Sequence, residues 1–190
     1  IKWTTSIDKQ IDVKSDRDLK IVKKCEKDDN GKTVPDVEYD KTTGKITYRY
    51  KIEVSTTTGT DDVINLTDNI TKTCGKNLTR GNLVVEKVDA SNNRTTLNNV
   101  SWDSGADGIN AKISNLPKLE KNEKYVISYS VTEDIGNSRL NGKFEENNKA
   151  TATTTTKYGD VLNPSATSSP WMSITSDDYT DLAIKKTAGD

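Results

Sequence analysis

The chain has 190 residues, with 28 basic and 29 acidic side chains, a net charge of −1 and no histidine. That balance gives no long-range attraction for nucleic acid or an anionic membrane. The missing imidazole removes the usual general base, the Ser-His triad and the commonest transition-metal ligand. Hydrophobic residues make up only 31% of the chain, and no run of about 18 apolar residues is available to span a bilayer. Two cysteines, Cys25 and Cys74, do not make a zinc site without further soft ligands. No metal, no cofactor and no conventional enzyme activity are expected. The opening Ile1-Lys2-Trp3 has no signal-peptide character and reads as the start of an excised fragment.

In chain order, residues 1–18 are expected to form a lead-in segment or an edge strand. Leu19 to Cys25 alternates, with Leu19, Ile21, Lys23 and Cys25 on one face. Lys45 to Ser55 sets Ile46, Tyr48, Tyr50, Ile52 and Val54 against Thr47, Arg49, Lys51 and Glu53. Val63 to Thr71 is a further alternating run. Asn82 to Asp89, Thr95 to Trp102 and Ile109 to Ile113 are shorter candidates. Glu123 to Thr132 places Tyr125, Ile127, Tyr129 and Val131 together, and Asn148 to Lys157 is a Thr-rich last strand. Turn clusters such as Asp28-Asp29-Asn30-Gly31, Thr43-Gly44 and Asn141-Gly142 separate them. Helical periodicity is absent, apart from a single possible turn around Pro117 to Asn122. Many short strands with regular turns predict an all-β fold, an Ig-like β-sandwich with Greek-key connections over 19–158. Residues 159–181, rich in Ser, Thr, Pro and Asp, read as a linker. Leu182-Ala183-Ile184-Lys185-Lys186 repeats the pattern of Leu19-Lys20-Ile21-Val22-Lys23. Residues 182–190 are therefore either the first strand of a following, similar domain or a last strand of this one.

Three strands break the rule that a strand buries every second residue in an apolar core. Lys23 shares its face with Leu19 and Ile21, Asp68 with Ile64, Leu66 and Ile70, and Asn148 with Ala150 and Ala152. Buried charges are costly unless paired or consumed by chemistry. An amine, an acid and a carboxamide in one core are the components of a spontaneous Lys–Asn isopeptide crosslink. Desolvation lowers the lysine pKa and raises that of the aspartate, so a neutral Lys23 is a nucleophile. A protonated Asp68 is expected to hydrogen-bond the Asn148 carbonyl oxygen and to shuttle protons as ammonia leaves. Folding supplies the proximity, worth roughly 7–11 kcal/mol in well-aligned intramolecular reactions. The plain alternative is a polar cluster in which Lys23 snorkels to the sandwich edge and pairs with Asp68. A register slip of one residue points Lys24 inward instead.

The motifs Leu19-Lys20-Ile21-Val22-Lys23, Thr67-Asp68 and Asn148-Lys149-Ala150-Thr151-Ala152-Thr153 resemble those of the Ig-like repeat domains of Gram-positive surface adhesins and pilins. The resemblance covers roughly Leu19 to Tyr158. It implies a sandwich whose first and last strands are joined covalently, on an extracellular, cell-wall-anchored protein. The implied role is that of a stalk, with neighbouring domains of the same protein as partners. The alternative is a module that binds a protein or glycan of a host or partner cell. A carboxylate-based glycosidase ranks last, because the acids are spread through turns and outward positions.

Cys25 is in phase with Lys23, and Cys74 follows Asp68 by an even number of positions. A disulfide closing a loop of about 50 residues is expected, worth roughly 4 kcal/mol in the chain-entropy model, and it suits an extracellular protein. Two buried free thiols are the alternative. A thioester lacks a partner, since the lone glutamine, Gln10, sits in the lead-in segment. Asp103, Asp107 and Asp89 are turn formers rather than an EF-hand set. Sequons at Asn65, Asn69, Asn77, Asn93 and Asn99 are ordinary products of an Asn- and Thr-rich composition. Trp102 is expected to pack in the core or at its rim.

Overall fold

The structure is a computed structural model, and it describes residues 14–24, 36–138 and 140–175. The protein is an Ig-like β-sandwich of antiparallel strands. The first sheet is built on β3 (Lys45–Ser55) and β9 (Lys124–Asp134), which pair along their full lengths. β1 (Lys20–Lys24) and β2 (Val37–Asp40) occupy successive stretches of the outer edge of β3. β5 (Lys76–Val88) lies on the other side of β9, followed by β6 (Arg94–Thr96). The second sheet centres on β4 (Ile64–Lys72). It pairs with β8 (Asn110–Leu116), which carries the short β7 (Asp103–Ser104), and with β11 (Asn147–Thr155).

The β3 alternation is realised in full, with Ile46, Tyr48, Tyr50, Ile52 and Val54 all buried. Across the sandwich they meet Ile64, Leu66, Ile70, Ile113, Ala150 and Ala152. Burying each large side chain of this kind contributes roughly 1.5–3 kcal/mol, which lets a chain poor in apolar residues hold a core. All six non-glycine residues with positive φ among the described residues are asparagines: 77, 82, 92, 99, 115 and 122. Asn tolerates the left-handed region better than other side-chain-bearing residues, so the Asn-rich composition is in part a turn composition.

Two sequence expectations are corrected. Thr95 to Trp102 is not one strand: pairing stops at Thr96 and resumes at Asp103. Residues 159–181 are not simply a linker. Within them, β12 (Val161–Leu162) and β13 (Ser165–Ser168) pair with the outer edge of β11, covering positions 154–155 and 148–151 respectively. β14 (Trp171–Ile174) pairs with β10 (Gly142–Glu145). Ser, Thr and Pro are the residues of a short edge strand as much as of a tether. The readings for 1–13 and for 182–190 lie outside the described residues.

Because β12 and β13 cover an edge that would otherwise expose unpaired backbone groups, deleting residues 161–175 is expected to lower the thermal midpoint clearly and promote self-association. Thermal melts with size-exclusion chromatography check this, and an unchanged midpoint would restore the linker reading.

Candidate functional site

Lys23, Asp68 and Asn148 all point into the core, at 5%, 0% and 0% exposure. β1 delivers Lys23 from the first sheet, opposite Ile52 of β3. β4 and β11 deliver the other two from the second sheet. Asp68 pairs in register with Ala150, and Asn148 is the next inward residue of β11. Both alanines at 150 and 152, which follow Asn148 on the inward face of β11, are fully buried.

Lys23 Nζ donates to Asp68 Oδ1 at 2.8 Å and to Tyr129 Oη. Tyr129 Oη in turn donates to Asp68 Oδ1 at 2.8 Å. Asn148 Nδ2 donates to Tyr129 Oη at 3.3 Å. The three residues marked by strand phase therefore meet around one phenol. The ammonium also lies 4.4 Å from the centre of the Tyr50 ring, a cation–π contact that partly replaces lost water.

Arg80 belongs to this site and was not visible in the sequence. Its Nη1 donates to Asp68 Oδ2 at 2.6 Å, its Nη2 to the Asp68 carbonyl at 3.0 Å, and its Nε to the Gly108 carbonyl at 2.6 Å. Its guanidinium packs 4.8 Å from the centre of the Trp102 ring, which gives Trp102 the packing role expected of it. Register shifts between Lys76 and Thr79 and between Gly81 and Val84 break the alternation of β5, so simple phase counting loses Arg80. Only the Thr-Arg-Gly break in the pattern marks a bulge.

This arrangement corrects the expected charge state of Asp68. Burial does push its pKa up, but the neighbouring Lys23 and Arg80 cations outweigh burial and hold it below the usual carboxylate value. Asp68 is therefore a carboxylate that accepts from both cations and does not donate to Asn148. For Lys23, burial wins over the attraction of Asp68 and lowers the amine pKa, as expected. Burial, then the Asp68 charge, raises the Tyr129 phenol and keeps it protonated. Asn148 Oδ1 is buried, and no donor among the described residues reaches it.

A second polar cluster lies at the β10 end of the core. Glu133 and Glu146 are both fully buried. Glu133 Oε1 accepts the backbone N–H groups of Cys74 and Gly75 at 3.0 Å each, fixing the β4–β5 turn. Tyr50 Oη donates to Glu146 Oε1 at 2.6 Å. Burial, reinforced by Glu133, raises the Glu146 pKa to about 10, so this acid is protonated at neutral pH. Both residues were missed, although Glu133 continues the phase of Tyr125 to Val131 and Glu146 that of Asn148. Cys74 lies beside them as a free thiol, with Tyr48 Oη at 3.2 Å and a pKa pushed up to about 12, mainly by burial. A thiol held protonated is a poor nucleophile. Cys25, its expected disulfide partner, lies outside the described residues. Among the described residues no group of acids or thiols is arranged to hold a metal ion, and no helix is long and apolar enough to cross a membrane.

No protein-family profile matches the chain, and no curated protein matches it significantly in sequence. Solved structures similar to it include the collagen-binding subdomain of the Enterococcus faecalis surface protein ACE, 12% identical, with a TM-score of 0.43 over 73% of this chain and 97% of that one. The full-length major pilin SpaD from Corynebacterium diphtheriae is 16% identical, with a TM-score of 0.44 over 67% of this chain and 31% of that one. The collagen-binding domain of a Staphylococcus aureus adhesin is 10% identical, with a TM-score of 0.41 over 66% and 87%. The likeness is one of sandwich architecture alone.

The Glu146 pKa gives a pH test. In the unfolded chain the group titrates near 4.5, and in the folded protein near 10. Its proton therefore favours the fold fully below pH 4.5, and that stability is lost as pH rises toward 10. Between pH 4.5 and 7 the loss is on the order of 3 kcal/mol. Glu146→Gln, neutral throughout and still able to accept from Tyr50, is expected to flatten urea-unfolding stability across pH 5–9; an unaltered pH slope would assign that dependence elsewhere.

Proposed function

We propose that this chain is a structural stalk domain of a bacterial cell-surface adhesin or pilin, reinforced by an autocatalytic amide between Lys23 and Asn148. The observation that carries the proposal is the convergence of Lys23 Nζ and Asn148 Nδ2 on one buried phenol oxygen, beside a buried carboxylate. An amine with a lowered pKa, a carboxamide and a base held together without bulk water have the components of an acyl transfer. The lysine nitrogen joins the Asn148 carbonyl carbon, the carboxamide nitrogen leaves as ammonia, and the reaction happens once per molecule. It is maturation rather than turnover.

The topology supports a load-bearing role. Lys23 is on the first strand of one sheet and Asn148 is on β11 of the other, so the bond would tie the two sheets through the core. The resemblance of the motifs on β1, β4 and β11 to those of surface adhesins and pilins supports an extracellular location. Its partners in this reading are the neighbouring domains of the same surface protein.

Intact mass decides the matter. The folded wild-type chain is expected to be lighter than its sequence by one ammonia, and Lys23→Ala to restore the full mass. The stability lost is roughly 4–5 kcal/mol from the chain entropy of so long a loop. A wild-type chain at its full sequence mass would sink the crosslink, and a deficit that survives Lys23→Ala would move it to another lysine.

A further inference from the structure

Tyr129 Oη is the atom at which both nitrogens of the proposed crosslink meet. It accepts hydrogen bonds from Lys23 Nζ and from Asn148 Nδ2, and it gives its own hydrogen to Asp68 Oδ1. The ring is fixed by a stack on Tyr50, with centroids 5.4 Å apart, and by an edge contact with Trp102 at 5.0 Å. Arg80 occupies the other carboxylate oxygen, Asp68 Oδ2, so Oδ1 alone faces the amine and the phenol.

The Asn148 carbonyl oxygen supplies the second constraint. Attack on its carbon moves electrons onto Oδ1, which is buried with no donor among the described residues. Acyl-transfer sites ordinarily stabilise that charge with preorganised donors. Without them, a fully charged oxygen in a desolvated core is costly. The lower path delivers a proton to the departing nitrogen as the new bond forms, so that the charge never fully develops.

We propose that Tyr129 is a catalytic proton relay for crosslink formation, an inference that rests on the Lys23–Asn148 reaction itself. Asp68 Oδ1 first takes one proton from the Lys23 ammonium. Once protonated, it no longer accepts the phenolic hydrogen, which turns toward Asn148 Nδ2. The Nζ–Cγ bond then forms, a second proton passes from Nζ to Tyr129 Oη, and the phenolic proton passes from Oη to Nδ2. The Cγ–Nδ2 bond breaks and ammonia departs. The third lysine proton stays on the new amide nitrogen. The proton on Asp68 leaves with ammonia as ammonium, which restores the carboxylate beside Arg80.

The test follows freshly made chains from cell-free synthesis by intact mass over time, with circular dichroism to verify folding. Tyr129→Phe keeps the ring and its contacts with Tyr50 and Trp102. It is expected to fold and to lose ammonia at least about 100-fold more slowly than wild type, the scale of a lost general acid–base. Loss at the wild-type rate overturns the relay while leaving the crosslink intact. A wild-type chain that never loses ammonia overturns both. If Tyr129→Phe does not fold, site-specific 3-fluorotyrosine at position 129 retains the hydroxyl with a more acidic proton. A several-fold change in rate with unchanged folding supports the relay, and an identical rate overturns it.

Discussion

Asp68 is a carboxylate in the centre of the sandwich, and the two cations that neutralise it, Lys23 and Arg80, both come from the opposite sheet. Removing one partner of such a buried group leaves an uncompensated charge and costs about 3–5 kcal/mol. The two sheets are thus held in one relative position by ionic geometry as well as by apolar packing. Tyr50, Tyr129 and Trp102 wrap the cations with ring faces. Each of these choices follows from a charge that has to be satisfied without water.

The same constraint explains what strand phase could reveal. Lys23, Asp68 and Asn148 sit on regular strands, and each occupies a position where an apolar residue was due. Their inward orientation was legible from alternation alone. Tyr129 was equally visible as a core residue, but a tyrosine in a core looks the same whether its hydroxyl is spectator or hub. Arg80 was hidden because β5 carries two register shifts, and a bulge resets the count of faces. The protonation state of Asp68 was misjudged from burial, which by itself predicts a neutral acid, whereas Lys23 and Arg80 together hold it below the usual carboxylate value.

The pairing of 161–174 was obscured for a different reason. Edge strands need little apolar content, since their stabilisation comes from backbone pairing and one half-buried face. Ala166 and Met172 pack against the core cluster from a stretch whose composition otherwise resembles a tether. Glu133 and Glu146 lie in inward phase yet read as ordinary charged residues. Their burial is tolerated because one carboxyl accepts two backbone N–H groups and the other is held neutral by its surroundings.

The polar centre is assembled from parts far apart along the chain. Lys23 and Asp68 are separated by 45 positions, Asp68 and Tyr129 by 61, and Lys23 and Tyr129 by 106. Such contacts require long loops to close, which makes β-sandwiches slow folders. A covalent bond made at this point would therefore be a record of completed assembly. Chains that had paired only one sheet, or had slipped a strand by one residue, would keep both nitrogens. The bond would discriminate correctly folded molecules from near misses, and would do so irreversibly, before the domain met any external force.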